Sequence, residues 1–174
     1  MPTIFPCLLP NDALLMRYAY DGSYTDCFCM DVPHTISLAE YAAAFYTTPL
    51  FKVERVILAL VVRAPSTDEG ARELAFGQSS RFAIWRVEGR TENQLMLCDV
   101  FGRTRSWLMV FPGAGGPGTT RLFFGSAVRP KSRPLNGKAR FGFAFHALHG
   151  FHQLYSRALL RAARSRLASL AACS

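Results

Sequence analysis

The side chains best suited to chemistry in this 174-residue chain are a histidine run, His146-x-x-His149-x-x-His152, and four polar groups that strand and helix periodicity turns inward: Asp26, Asp99, Arg105 and His152. Helical steps of three put neighbouring imidazoles on adjacent faces but spread the outer two by about 120°. Zinc catalysis needs three converging ligands and a nearby general base, and residues 141–174 contain no Asp or Glu. No metal and no cofactor are expected, and only His152 is placed to face the interior. An inward Asp99–Arg105 pair is first a structural feature, because buried charges must be paired. Beside a cavity the same groups become a site, with Arg fixing a carboxylate or enolate oxygen and His moving protons. Serine nucleophiles lack support, since no Gly-x-Ser-x-Gly occurs. Pro112-Gly-Ala-Gly-Gly-Pro-Gly118 lacks the Gly-Lys-Ser/Thr ending of a phosphate loop, and no helix follows it. It reads as a hairpin connection.

Cysteines stand at 7, 27, 29, 98 and 173, an odd number without a Cys-x-x-Cys. Cys27 and Cys29 share one face of a strand, a spacing that does not suit a disulfide. Reduced thiols in a cytoplasmic protein are the expectation.

These residues need elements to position them. Tyr24 to Val32 alternates and ends at Pro33, a strand carrying Tyr24, Asp26, Phe28, Met30 and Val32 on one face. Ser37 and Glu40 form a capping box that opens a helix through Tyr46. Pro49 starts a second helix with Val53, Val56, Ile57, Leu60 and Val61 at helical spacing. Ser66 and Glu69 open a third, which Gly77 closes. From Arg81 the period becomes two, with strands at 81–88, 94–100, 104–111 and 119–129. Asp99 and Arg105 share a face only if the loop around Phe101-Gly102-Arg103 has an odd residue count; an even loop separates them. Residues 130–142 read as a basic, Pro-containing loop, with a further strand near Arg140–Phe145. A long helix from Ala147 to Ala171 stacks Leu148, Phe151, Tyr155, Leu159 and Ala162 on one stripe, opposite Arg157, Arg161 and Arg164. That stripe must bury itself against the sheet, an arrangement that leaves a cavity near the helix ends. Residues 1–20 are a Pro-interrupted lead-in, and 21–172 the core of a single domain.

Composition bounds the rest. Half the residues are apolar and 18% charged, so the chain folds. The longest apolar run, Val56 to Val62, is far short of the ~20 residues that span a membrane. The first residues have neither a basic start nor a cleavable apolar stretch, unlike a secretory signal. The net charge is +8, and seventeen of the twenty basic residues are Arg. Lys131, Arg133, Lys138 and Arg140 sit in the loop, Arg157, Arg161 and Arg164 lie on one side of the C-terminal helix, and others are scattered singly through strands, with no ribonucleoprotein, zinc-finger or basic-zipper motif. The charge reads as solvated surface rather than a specific nucleic-acid site.

Tyr24-Thr-Asp-Cys-Phe-Cys-Met-Asp-Val-Pro33, the Pro49-Leu-Phe-Lys-Val helix, Leu97-Cys-Asp-Val with Arg105-Ser-Trp-Leu-Met-Val110, and Gly150-Phe-His-Gln-Leu-Tyr-Ser-Arg-Ala-Leu-Leu160 occur in that order. Together they resemble an uncharacterised bacterial family within the START-like (SRPBCC) superfamily, which includes polyketide cyclases and the birch-pollen-allergen type. The resemblance spans residues 20–162. It implies an α+β helix-grip fold, a curved antiparallel sheet wrapped around the C-terminal helix, with a hydrophobic ligand cavity and no catalytic residues to carry over. Gly150 stands where relatives have Pro.

The resulting expectation is a binder of a small hydrophobic or aromatic molecule. Phe28, Trp85, Trp107, Phe124 and Tyr155 would form apolar walls, and Asp26, Arg105 and His152 would orient a polar end. The alternatives are a cyclase- or hydratase-like enzyme, in which His152 or Asp26 acts as acid/base and Arg105 steadies an oxyanion, and an interaction module with a filled core. The sequence leaves a homodimer open.

Overall fold

A computed structural model describes residues 3–53, 66–130 and 143–171, with side chains in the last helix given from Leu154 to Ser169. The alternating segments become strands β1 (Phe5–Pro6), β2 (Tyr24–Val32), β3 (Arg81–Phe82), β4 (Trp85–Arg90), β5 (Gln94–Asp99), β6 (Thr104–Pro112) and β7 (Thr120–Val128). They form one antiparallel sheet in the order β1-β2-β7-β6-β5-β4-β3. Around it lie α1 (Met16–Tyr20), α2 (Leu38–Tyr46), α3 (Asp68–Ala75) and the 29-residue α4 (Phe143–Ala171). The architecture is α+β.

Local chemistry explains the helix ends. Ser37 Oγ accepts from Glu40 N while the Glu40 carboxylate accepts from Ser37 N, so two orphan donors at the start of α2 are satisfied. At α3 the cap is Thr67, whose hydroxyl accepts from Gly70 N, one residue later than the Ser66 expected. Gly77, at φ +78°, closes α3 as expected. Its N–H reaches Leu74 O and that of Gln78 reaches Glu73 O, a Schellman ending. Residues 49–53 are helical, as expected from Pro49; the continuation through 54–65 and the basic loop residues Lys131, Arg133, Lys138 and Arg140 lie outside the described residues. The stretch 81–88 is not one strand, because Ala83 adopts φ +52° and breaks it.

Period-2 alternation sorts the strand side chains onto two faces. Phe28, Met30 and Val32 of β2, Leu122 and Phe124 of β7, Leu108 of β6, Leu95 and Leu97 of β5 and Trp85 of β4 face the helices. There α2 lies over β5 and β6, whereas α4 packs against α2, β2 and β7. The buried stripe of α4 runs through Ser156, Leu159, Leu160, Ala163 and Leu167. It is rotated from the expected stripe: Tyr155 is half-buried, and Arg157 leaves the solvent side to lie with its guanidinium 5.3 Å from the Phe28 ring centroid. A long aliphatic stem lets an arginine do this at low cost.

The opposite face carries a second core of Cys27, Cys29, Met96, Trp107, Met109, Phe123 and Ala127. Residues 7–20 cover it, contributing Ala13, Leu15 and Tyr18. Gly125 of β7 pairs with Trp107 of β6. A Cβ there would lie 2.9 Å from Trp107 Cε3, from Leu15 Cδ2 and from the Asp26 carbonyl oxygen. Close packing leaves no slack for such an atom. Gly125→Val should therefore cost about 3 kcal/mol and lower the thermal midpoint by roughly 10 °C, read by differential scanning calorimetry; an unchanged midpoint would contradict this packing.

Candidate functional site

On the helix-covered face, Asp26 lies opposite Ser126 and its Oδ1 accepts from Ser126 N at 3.0 Å and Ser126 Oγ at 2.7 Å. Phe28 and Phe124 are cross-strand partners beside it. On the α2 side the space is filled: the Phe45 ring centroid stands 4.9 Å from that of Phe124, and Tyr46, Phe51 and Phe82 continue the cluster. On the α4 side the neighbours are more polar. Ser156 is fully buried and its hydroxyl has no hydrogen-bond partner among the described residues, while the Arg157 guanidinium covers Phe28. Tyr155 packs at the margin of this core. Trp85 shares the face but sits on β4, near the far edge of the sheet, with its indole N–H buried and without a partner among the described residues. His152 belongs to α4, and its side chain, with those of His146 and His149, lies outside the described residues.

Trp107 and Arg105 occupy the opposite face, so they do not form one wall or one site with Phe28, Phe124 and Asp26. The reason is strand parity. Arg105 pairs with Cys98, which leaves an even number of residues in the β5–β6 turn and puts Asp99 with Leu95 and Leu97 on the helix side. Asp99 does not meet Arg105; its Oδ1 accepts from Arg103 N and shapes the turn. Arg105, 5% exposed, instead donates from Nε to Glu88 Oε2 at 3.1 Å and from Nη1 to Gly102 O at 2.6 Å, with its guanidinium carbon 4.5 Å from the Tyr18 ring centroid. Tyr18 Oη donates to the other Glu88 oxygen. Trp107 is fully buried, and its indole N–H donates to Gln94 Oε1. This side is a closed polar network under the N-terminal segment. Its bonds are occupied within the protein.

Among the described residues there are open clefts at two further places, the second of which shares Asp26 and Phe28 with the helix-covered site. One of about 700 Å³ is formed by the Gly-rich β6–β7 connection with Thr35, Ile36, Asn93 and Val110. The other, about 650 Å³, lies between residues 6–11 and β2 and includes Cys7, Met16, Asp26 and Cys27. Among the described residues no three of His, Cys, Asp and Glu are arranged to hold a metal ion, and no helix is long and apolar enough to cross a membrane. Glu88, Gln94, Ser156 and Cys7 were not singled out from sequence as site residues. The β-bulge between Val87 and Gly89, which turns Glu88 and Gly89 to the same face, carries no period-2 signal.

No family model matches the chain, and neither a curated protein nor a solved structure is significantly similar to it.

Burial works against ionisation of Glu88, but the Tyr18 hydroxyl, the Arg105 charge and hydrogen bonds from Cys98 and Arg105 outweigh it and hold the carboxyl below its ordinary value. Hydrogen bonds from Arg121, at 2.7 and 2.8 Å, lower Asp31 likewise. A carboxyl whose folded pKa is depressed contributes stability above its unfolded value, about 4.3 for Glu, and loses it as pH falls through the folded value. The melting temperature should therefore drop steeply below pH about 4. Glu88→Gln should be less stable at pH 7 and show a shallower acid slope in thermal melts; an unchanged slope would remove Glu88 from this account.

Proposed function

We propose that this protein binds a small hydrophobic or aromatic molecule between the sheet and the C-terminal helix, at the end where α4 meets β2 and β7. The observation that carries the reading is Ser156, whose hydroxyl is buried without a partner among the described residues on the sheet-facing stripe of α4. Burying such a group unsatisfied costs about 1–3 kcal/mol, and a helical serine ordinarily avoids this by bonding back to its own helix. A ligand hydroxyl, carbonyl or carboxylate at that point would recover the loss. Phe28 and Phe124 supply apolar surface nearby, Asp26 with Ser126 supplies a fixed polar pair, and Arg157 over Phe28 supplies a cation for an electron-rich end.

This is also what the START-like resemblance implies, restricted to part of the predicted set. Asp26, Phe28, Phe124, Tyr155 and His152 remain candidate contacts. Arg105 and Trp107 belong to the other side of the sheet and act on stability. A binding role accounts for the polar groups near α4 without requiring a catalytic constellation.

The test is native mass spectrometry of the purified full chain, compared with the same sample denatured. A small molecule released in a one-to-one ratio is expected. Ser156→Ala should fold with equal or greater stability while retaining the molecule about tenfold less well, as expected from losing about 1.4 kcal/mol of hydrogen bonding. A clean apo mass, with Ser156→Ala merely raising the melting temperature, would overturn the proposal.

A further inference from the structure

Cys7, Cys27 and Cys29 lie far apart in the chain or on one strand face, yet the N-terminal segment brings all three thiols together. Residues 5 and 6 pair with 29 and 28, and Cys7 continues that register opposite Cys27, donating its N–H to the Cys27 carbonyl at 3.0 Å. The two sulfurs stand 3.3 Å apart. The Cys29 thiol interacts with Cys7 from the next position on the same face of β2. Cys27 is buried but Cys7 is half-exposed, and both line the 650 Å³ cleft between the N-terminal segment and β2. A small oxidant in the cleft has a route to Cys7, and the second sulfur is already in contact. Directly opposed antiparallel positions are separated by about 5.5 Å between Cα atoms, inside the range a disulfide spans without moving the backbone.

We propose that Cys7 and Cys27 are a modification site, a dithiol that a hydroperoxide converts to a reversible disulfide. Cys7 loses its proton and its thiolate attacks one peroxide oxygen; the O–O bond breaks, and water or an alcohol leaves. The sulfenic acid formed on Cys7 is attacked by the Cys27 sulfur, the S–O bond breaks, and the hydroxide departs with the Cys27 proton as water. Two thiols lose two electrons and two protons, and the hydroperoxide is reduced to alcohol and water. Hydrogen bonding to Cys27, with burial, pushes the Cys7 thiol up to about 12. The first step is consequently slow, and the pair answers sustained oxidant rather than trace amounts. The product ties the segment that lays Leu15 and Tyr18 over Trp107 to β2. Cleavage of the same bond by a thiol reductant restores the starting state.

The experiment treats the purified full chain with hydrogen peroxide, then alkylates it under denaturing conditions and maps the peptides. The chain has five cysteines, so three alkylated thiols and a linked Cys7–Cys27 peptide pair are expected. A rise of several degrees in melting temperature should accompany this, reversed by dithiothreitol. Cys7→Ser and Cys27→Ser should each abolish both the linked pair and the rise, while Cys29→Ser should keep them. The mapping on the unmodified sequence stands even if a variant folds poorly. Five alkylated thiols after oxidation, a Cys7–Cys29 link, or oxidation confined to Cys98 and Cys173 would overturn the proposal.

Discussion

One side-chain amide holds closed the face of the sheet that lies under the N-terminal segment. Gln94 is buried at the start of β5, where an unbonded amide would be costly. Its oxygen accepts from the Leu14 backbone N–H at 2.8 Å and from the Trp107 indole at 3.0 Å, and its nitrogen donates to the Asp12 carbonyl at 3.1 Å. A backbone segment without long regular structure and a central-strand tryptophan are thus held by the same two atoms of one amide. The position of Leu15 and Tyr18 over the sheet depends on that registration. So does the network of Tyr18, Glu88 and Arg105, since the tyrosine must arrive at the correct height to reach the carboxylate.

The two faces then do different work. The back face is a small core sealed by residues 7–20, with its charged groups bonded to one another. The front face is shared by α2, whose Phe45 packs on Phe124 of β7 and whose Tyr46 meets Ser106 of β6, and α4, which brings serine and arginine to β2 and β7. The arginine at 105, suited by type to hold an anion, is on the other side of the sheet.

Much of this was legible in the residues. Alternation from Tyr24 to Val32 gave β2 at its full length, and the Ser37–Glu40 box marked the start of α2. Strands β5, β6 and β7 lie within a residue of where period-2 patterning puts them. What patterning does not carry is parity across a turn: each strand's two faces are known, but which face of β5 joins which face of β6 depends on one residue of loop length. The Asp99–Arg105 question turned on that. The N-terminal segment was opaque for a different reason. Its three prolines and five-residue helix without a side-chain cap have weak local preference, and its conformation comes from docking onto Gln94 and Trp107. The long helix was legible as a helix, but its rotation was not, because Arg157 can cover an aromatic ring as readily as face water.

The sheet also ends abruptly. Both outer strands are two residues long, one containing Pro6 and the other an exposed Arg81. A proline offers no N–H to an incoming strand, and a charge on the rim resists being dehydrated. Neither of these two-residue strands can itself template a further strand over any useful length. Growth of this sheet into fibrils, or its extension by a neighbour's backbone, is thereby disfavoured at both margins.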